Sequence, residues 1–409
     1  MKKFVAMLLA VVMVLSLAAC GGSSAPAETK APAAADAAPA ADAAPAADAA
    51  PAAEGAAPAI KIGMIGPLTG DAAVYGNAVK VGMEIAVEEI NAQGGLQIEL
   101  NCQDDAHDAE KSVNAYNTLK DWGMQILGGT VTTNPCRAVA PEAANDRIFV
   151  LTPSASAEDV VGSGDNVFQL CFSDPNQGAG SANLIADRNM AQAIGVIYDA
   201  SDAYSSGIYE SFMEVAAAKG LNVVCETSFT ADSKSDLSTQ VAQCKDAGAD
   251  LVFLPFYYTE AAQVLVQANK IGYKPTFFGC DGMDGILDVE GFDTALAEGL
   301  MMMTPFAADA KDEATQSFVA KYKEKTGGVP NQFAADAYDV VYALYKACIA
   351  AGIDGSTPNA EACDKLIAQF TAMSFDGLTG KGMTWDSNGF VSKVPTAVKI
   401  ENGAYVGIG

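Results

Sequence analysis

The residues best suited to chemistry in this 409-residue chain stand at the ends of short apolar runs. They are Thr69, Thr132 and Thr133, the triplet Ser154-Ala155-Ser156, Asp174, Tyr204, Tyr257, and Asp281 in the loop GCDGMDG. Several precede helical patterns, where free backbone N–H groups beside hydroxyls suit a bound carboxylate. Asp281 and Asp174 can answer an ammonium through charge-assisted hydrogen bonds. The tyrosines add donors and flat apolar walls. Together the set fits a zwitterion. Taken singly, each Ser, Thr or Asp is also an ordinary cap for the helix that follows.

Catalytic patterns are missing where such a chain would carry them. No GxGxxG follows an apolar run, GLTGKGMT (377–384) lacks phosphate-loop spacing, and no GxSxG elbow occurs. His107, in DDAHDAE, is the single histidine, which rules out a His-rich metal centre and any catalysis needing two imidazoles. It is expected on the surface, and Asp104-Asp105 beside it in a solvated loop. No enzyme activity, cofactor or metal is expected. With 50 acidic against 24 basic residues and a net charge of −26, neither nucleic acid nor an anionic membrane surface is a fitting electrostatic partner.

The elements that must position these residues alternate along the chain. Strand-like runs fall at 61–66, 96–100, 125–129, 147–153, 166–171, 193–199, 222–229, 251–257, 276–282 and 300–306. Helical patterns fall at 78–91, 109–122, 205–219, 235–246, 260–271, 313–326, 332–351 and 360–372. This spacing predicts βα units, mainly parallel sheets and helices on both faces. Ten strands exceed one comfortable parallel sheet, so two α/β lobes are expected. In such sheets ligands bind beyond the carboxyl ends of the strands, where the named polar residues lie.

The start of the chain is of another kind. Lys2 and Lys3 precede an apolar stretch from Phe4 to Leu17, too short for a stable span. Leu17-Ala18-Ala19-Cys20 then resembles the lipobox of bacterial lipoproteins, which implies cleavage before Cys20 and lipid on its sulfur. Residues 21–59 collapse to Ala, Pro, Asp and Glu, with Asp36, Asp42 and Asp48 in step with Pro39, Pro45 and Pro51. Nothing there can offset ordering entropy, so an extended spacer is expected. Eight cysteines remain after Cys20 without metal-binding spacing. Cys171 and Cys225 lie in apolar strand-like runs, where buried free thiols are expected.

The segment KIGMIGPLTGDAAVYGNAVKVGMEIAVEEINAQGG (61–95) resembles the opening of the Leu/Ile/Val-binding proteins of bacterial ABC importers. GGTVTTNPC, RIFVLTPSASAEDV, FYYTEAAQVLVQANKIG, FFGCDG and GLTGKGMTWDSNG follow in that family's order. The resemblance implies a type I periplasmic binding protein fold with two lobes, three crossovers near 174, 304 and 382, and a ligand held between the lobes. It divides the chain into a leader (1–19), a lipidated linker (20–59), a first lobe (60–174 with 305–382) and a second (175–304 with 383–409). It implies that Thr133 holds the ligand carboxylate, and that Ser154 and Ser156 contact carboxylate and ammonium. Tyr257 would lie near the ammonium, Asp281 would pair with it, Tyr75 would wall the side chain, and Tyr204 would stand at the cleft rim. Asp281 replaces the family's glutamate, and His107 and Thr132 stand where some members carry a disulfide. The expected function is a monomeric, lipid-anchored extracytoplasmic receptor delivering a branched-chain or other apolar amino acid to a permease. A ligand sensor, or a binder of an amide or aromatic acid, is the alternative.

Overall fold

A computed structural model describes residues 57–408. The leader, Cys20 and the linker as far as residue 56 lie outside the described residues. The first sheet contains β1 (Ile60–Gly66), β2 (Ile98–Asp104), β3 (Ile126–Leu127), β4 (Phe149–Thr152) and β5 (Val167–Gln169). Its order is β2-β1-β3-β4-β5, with every pair parallel. Between these strands run α1 (Ala73–Ala92), α2 (Ala109–Trp122), α3 (Thr133–Asp146) and the short α4 (Glu158–Val161). β1 is buried along almost all its length, as a central strand covered on both faces must be.

The chain then crosses to a second lobe. This contains α5 (Asp174–Asp187), β6 (Ile194–Asp199), α6 (Ala203–Lys219), β7 (Val223–Phe229), α7 (Ser238–Asp246), β8 (Leu251–Leu254), α8 (Tyr258–Lys270), β9 (Thr276–Gly279) and β10 (Met301–Thr304). It returns to the first lobe as α9 (Glu313–Thr326), α10 (Gln332–Ala351) and α11 (Asn359–Phe370). Finally β11 (Thr396–Glu401) and β12 (Ala404–Gly407) join the second sheet. That sheet has the order β12-β11-β10-β9-β8-β6-β7, antiparallel only where β11 meets its neighbours. The hairpin β11–β12 was not among the expected elements.

Two details of packing matter for the site. Gly82 of α1 lies against α10 so closely that an added Cβ would stand 2.1 Å from the Ala334 carbonyl oxygen. The helices can approach this far only because that position has no side chain. Before β11 joins the second sheet, the chain around Trp385 and Gly389 lies beside the first. Trp385 Nε1 donates to Gln169 O at 2.7 Å and Gln169 N donates to Gly389 O at 2.9 Å, holding this stretch on the edge of β5.

Lys393 anchors this stretch. Its ammonium donates to Asp336 Oδ1 at 2.7 Å and to Thr379 Oγ1 at 2.6 Å, and its side chain is 1% exposed. Asp339, also buried, accepts from Leu378 N, Thr379 N and Thr379 Oγ1 at 2.7–2.9 Å. Burial pushes the Asp336 carboxyl up to about 6, with Lys393 opposing. Part of the glycine-rich segment after residue 376 thus encloses a buried ion pair. Cys171 is a buried free thiol, whereas Cys225 is half-exposed. β7 is the last strand of its sheet, so its residues from Val223 to Ser228 alternate between partial and full exposure, and only Phe229 is covered.

Candidate functional site

Helix starts from both lobes converge on one cleft. α3 begins at Thr133 with Thr132 as its N-cap in extended conformation, and neither hydroxyl caps the helix. The first N–H groups of α3 therefore have no intrahelical acceptor, and the Thr133 hydroxyl is buried without a partner. After β4, Ser154 donates its hydroxyl to Val131 O at 2.6 Å. Thr152 fixes this turn: its hydroxyl donates to Thr130 O at 2.7 Å and accepts from Ala155 N at 2.9 Å. This side of the cleft offers donors and the positive end of a helix, with no cation.

The second lobe answers with a carboxylate. Asp281, 4% exposed, accepts from the Tyr204 hydroxyl at 2.5 Å. Tyr204 is itself fixed by Gly282 N, which donates to its oxygen at 2.8 Å. Gln177 Oε1 accepts from Asp281 N, and Gln332 Nε2 donates to Asp281 O. Burial pushes the Asp281 carboxyl up to about 6, against the lowering pull of Tyr204. It has no cation of its own. Tyr257 stacks on Tyr204 with ring centroids 4.9 Å apart and planes 3° from parallel. Tyr75, from α1, packs on Phe333 of α10 at 4.4 Å and donates its hydroxyl to Gly282 O across the lobes.

These groups line a narrow, tightly closed cavity, bounded by Tyr75, Val131, Thr132, Thr133, Ser154, Tyr204, Tyr257, Asp281, Gly282 and Phe333. Ala155, Ser156 and Asp174 do not line it. Ala155 and Ser156 are fully buried behind the turn, and the Ser156 hydroxyl has no partner. Asp174 sits at the start of α5, facing Gly207 of α6, with neither carboxylate oxygen hydrogen-bonded. Burial raises its carboxyl well above the usual range. Thr69 lies outside the site, donating to Asp104 Oδ2 at 2.6 Å in an exposed turn.

Val131, Gly282 and Phe333 are the lining residues that sequence reasoning missed. Phe333 comes from a helix two hundred residues from α3, and no local pattern marks it. Gly282 is legible only in three dimensions, since an added Cβ would stand 2.6 Å from the Tyr204 hydroxyl.

His107 is half-buried at the cleft mouth, not fully on the surface as expected. Its Nδ1 lies 2.9 Å from Thr132 Oγ1 and its ring meets Tyr257 edge-on at 5.4 Å. Burial, then Lys234, holds the imidazole down at about 4, so it is neutral at physiological pH. Asp105 is fully buried rather than solvated; its Oδ1 accepts from His107 N at 2.9 Å. A helix-start turn folded beneath the cleft mouth explains both.

Outside this cavity a second set of contacts joins the lobes. Lys234 pairs with Asp71 at 3.2 Å and with Glu260 at 3.1 Å, and Asn134 Nδ2 donates to Asp202 Oδ1 at 2.9 Å. The Tyr258 hydroxyl donates to Asp71 O at 2.7 Å. Wider depressions, such as that lined by Glu88, Glu89, Lys321 and Lys325, are open and ion-paired. Among the described residues no cluster of His, Cys, Asp and Glu could hold a metal, and no helix is long and apolar enough to cross a membrane.

Comparison with known proteins agrees with this architecture. The periplasmic binding protein profile matches residues 59–404. A Leu/Ile/Val-binding protein homologue of Brucella melitensis is 30% identical over 316 residues, covering 75% of this chain and 83% of its own. The Leu/Ile/Val-binding protein of Escherichia coli K12 is 28% identical, covering 81% and 88%. The isoleucine complex of LivJ from Streptococcus pneumoniae superposes with a TM-score of 0.76 at 26% identity, over 85% of this chain and 97% of that one. A Rhodopseudomonas palustris protein holding 3,4-dihydroxybenzoic acid has a TM-score of 0.75 at 20% identity, over 86% and 96%, a likeness of fold alone. The chain belongs to the periplasmic binding protein family, in its Leu/Ile/Val-binding branch, whose members are solute-binding proteins of ABC transporters and not enzymes.

Proposed function

We propose that this protein captures an α-amino acid with an apolar, branched-chain-sized side chain between its lobes and presents it to an ABC permease. The observation that carries the reading is the polarity of one small cavity: free helix donors with Thr133 and Ser154 on one lobe, and cation-free Asp281 on the other. An α-amino acid carries both charges, and a dry cleft must answer both. Thr133, Thr132 and Ser154 take the carboxylate, with Ala155 and Ser156 shaping their turn. Asp281, held by Tyr204, takes the ammonium, and Asp174, its carboxyl kept neutral by burial, lies behind the site without touching the ligand. Tyr75, Tyr257, Val131 and Phe333 enclose the side chain. An aromatic acid has no ammonium for Asp281, which disfavours that alternative.

On this reading the protein is a monomer tethered outside the cytoplasm by lipid on Cys20, in keeping with the extracytoplasmic family, and the Ala/Pro spacer gives it reach. The test is a thermal-shift screen of the twenty amino acids, simple amides and benzoates, followed by calorimetry of the hits. A rise in melting temperature confined to apolar amino acids is expected. Stabilisation by benzoates or amides alone overturns the assignment.

A further inference from the structure

α7 docks against β7 through paired side-chain contacts. Thr227 Oγ1 donates to Gln243 Oε1 at 2.6 Å, and Gln240 Nε2 donates to Ser228 O at 2.9 Å. This seating brings Cys244 Sγ to 3.5 Å from Cys225 Sγ. The two thiols differ in access. Cys244 is fully buried, and burial first, then the neighbouring Cys225, raises its pKa far above the ordinary thiol range. Cys225 is half-exposed on the edge strand.

The segment that these cysteines bracket is unusual. It holds the exposed turn between β7 and α7, from which Lys234 reaches across to Asp71 of the first lobe while also pairing with Glu260. Leu237, fully buried, is the main apolar tether of this turn. The N-cap of α7, Leu237, cannot cap it, and Asp236 Oδ1 accepts from Ser238 N at 3.0 Å instead.

We propose that Cys225 and Cys244 are a dithiol that closes to a disulfide by exchange with an external disulfide, stapling the turn that carries the interlobe lysine. The accessible Cys225 thiolate attacks one sulfur of the external disulfide, forming a mixed disulfide and releasing one thiolate. The Cys244 thiol gives up its proton and attacks the Cys225 sulfur; the second external thiol leaves as the Cys225–Cys244 bond forms. Two electrons and two protons pass from the pair to the external disulfide, which departs as two thiols. The raised Cys244 thiol makes it the resolving partner, because the thiolate is the nucleophile. Closing the loop limits how far the turn can swing from the lobe, which keeps Lys234 facing Asp71.

The test treats the folded full chain with oxidised glutathione, blocks remaining thiols with iodoacetamide, and reads the digest by mass spectrometry. A linked pair of peptides carrying Cys225 and Cys244 is expected, lost on reduction with dithiothreitol. Limited trypsin cleavage after Lys234 should slow at least several-fold in the oxidised protein and be unchanged in Cys225→Ser, a half-exposed position that tolerates the swap. Recovery of both cysteines alkylated, or of Cys225 only as its glutathione adduct, overturns the proposal. A linked pair with unaltered cleavage after Lys234 overturns the stapling.

Discussion

Tyr204 and Asp281 form a buried phenol–carboxylate pair at 2.5 Å, and the same phenol oxygen accepts the Gly282 amide. One side chain therefore both holds the carboxylate in place and keeps part of its charge from being lost to burial. Tyr204→Phe removes the donor, so the Asp281 carboxyl should rise further and meet an ammonium less often ionised. Calorimetry at pH 7 should show apolar amino-acid binding weakened roughly ten-fold, as loss of about one charged hydrogen bond predicts. Unchanged affinity would leave Tyr204 no role in positioning the carboxylate.

Asp281→Asn isolates charge from shape. Losing a carboxylate that pairs a desolvated ammonium costs roughly 2–5 kcal/mol, about 30-fold to several-thousand-fold in affinity. The melting temperature of the free protein should stay level or rise, because the wild-type carboxylate is buried without a cation. Wild-type affinity for an amino acid in the Asn variant would remove Asp281 from the site.

The pH dependences of stability and binding should oppose each other. Burial pushes Asp105, Asp202 and Asp284 up to about 7 and Asp281 to about 6. A carboxyl whose folded pKa lies above its unfolded one binds more protons folded than unfolded, so stability falls as pH rises through that interval. The free protein should therefore melt higher near pH 5 than at pH 7.5. Ligand affinity should run the other way, declining below about pH 6 as Asp281 becomes neutral. Parallel trends would mean that Asp281 is not the ammonium partner.

Lys234→Met cuts the ion pairs that link Asp71 and Glu260. The lysine is about one-third exposed, so solvent screening limits the loss to about 1 kcal/mol, or near five-fold in affinity. The change should appear mainly in dissociation rate and fade in high salt. A stopped-flow rate indifferent to both would deny the latch.

Lys393→Met leaves Asp336 buried and unpaired. Stability should fall by roughly 3–5 kcal/mol in urea unfolding. Adding Asp336→Asn should restore much of it, since the stranded charge and not the lost packing carries the cost. No recovery in the double variant would point to packing.

The ten strand-like runs all became strands because continuous apolar stretches between amphipathic ones leave the chain few other choices. α9 and α10 begin and end where their patterns placed them, aided by the caps Asp312 and Asn331. The β11–β12 hairpin went unread although its signal was present: Asn402-Gly403 both adopt positive φ, as a tight hairpin turn needs. α3 and α5 were obscured by Pro141 and by Gly178 and Gly180, residues that local propensity counts against a helix. At the site, Asp281 and the hydroxyls were legible as polar residues after strands. Phe333 was not, since only the packing of α10 on α1 brings its ring to Tyr75.

That same packing sets the bore of the proposed ligand chamber. Tyr75 and Gly82 belong to one helix, Phe333 and Ala334 to the other, and the bare α-carbon of Gly82 is the stop against which the two rods close. Separation of the rings thus follows from a contact remote from any ligand. A methyl group added at residue 82 would pry the rods apart and widen the calibre admitted between Tyr75 and Phe333. On the proposed function, selectivity for side-chain girth would then shift through a helix crossing, with every residue that touches the ligand left as it was.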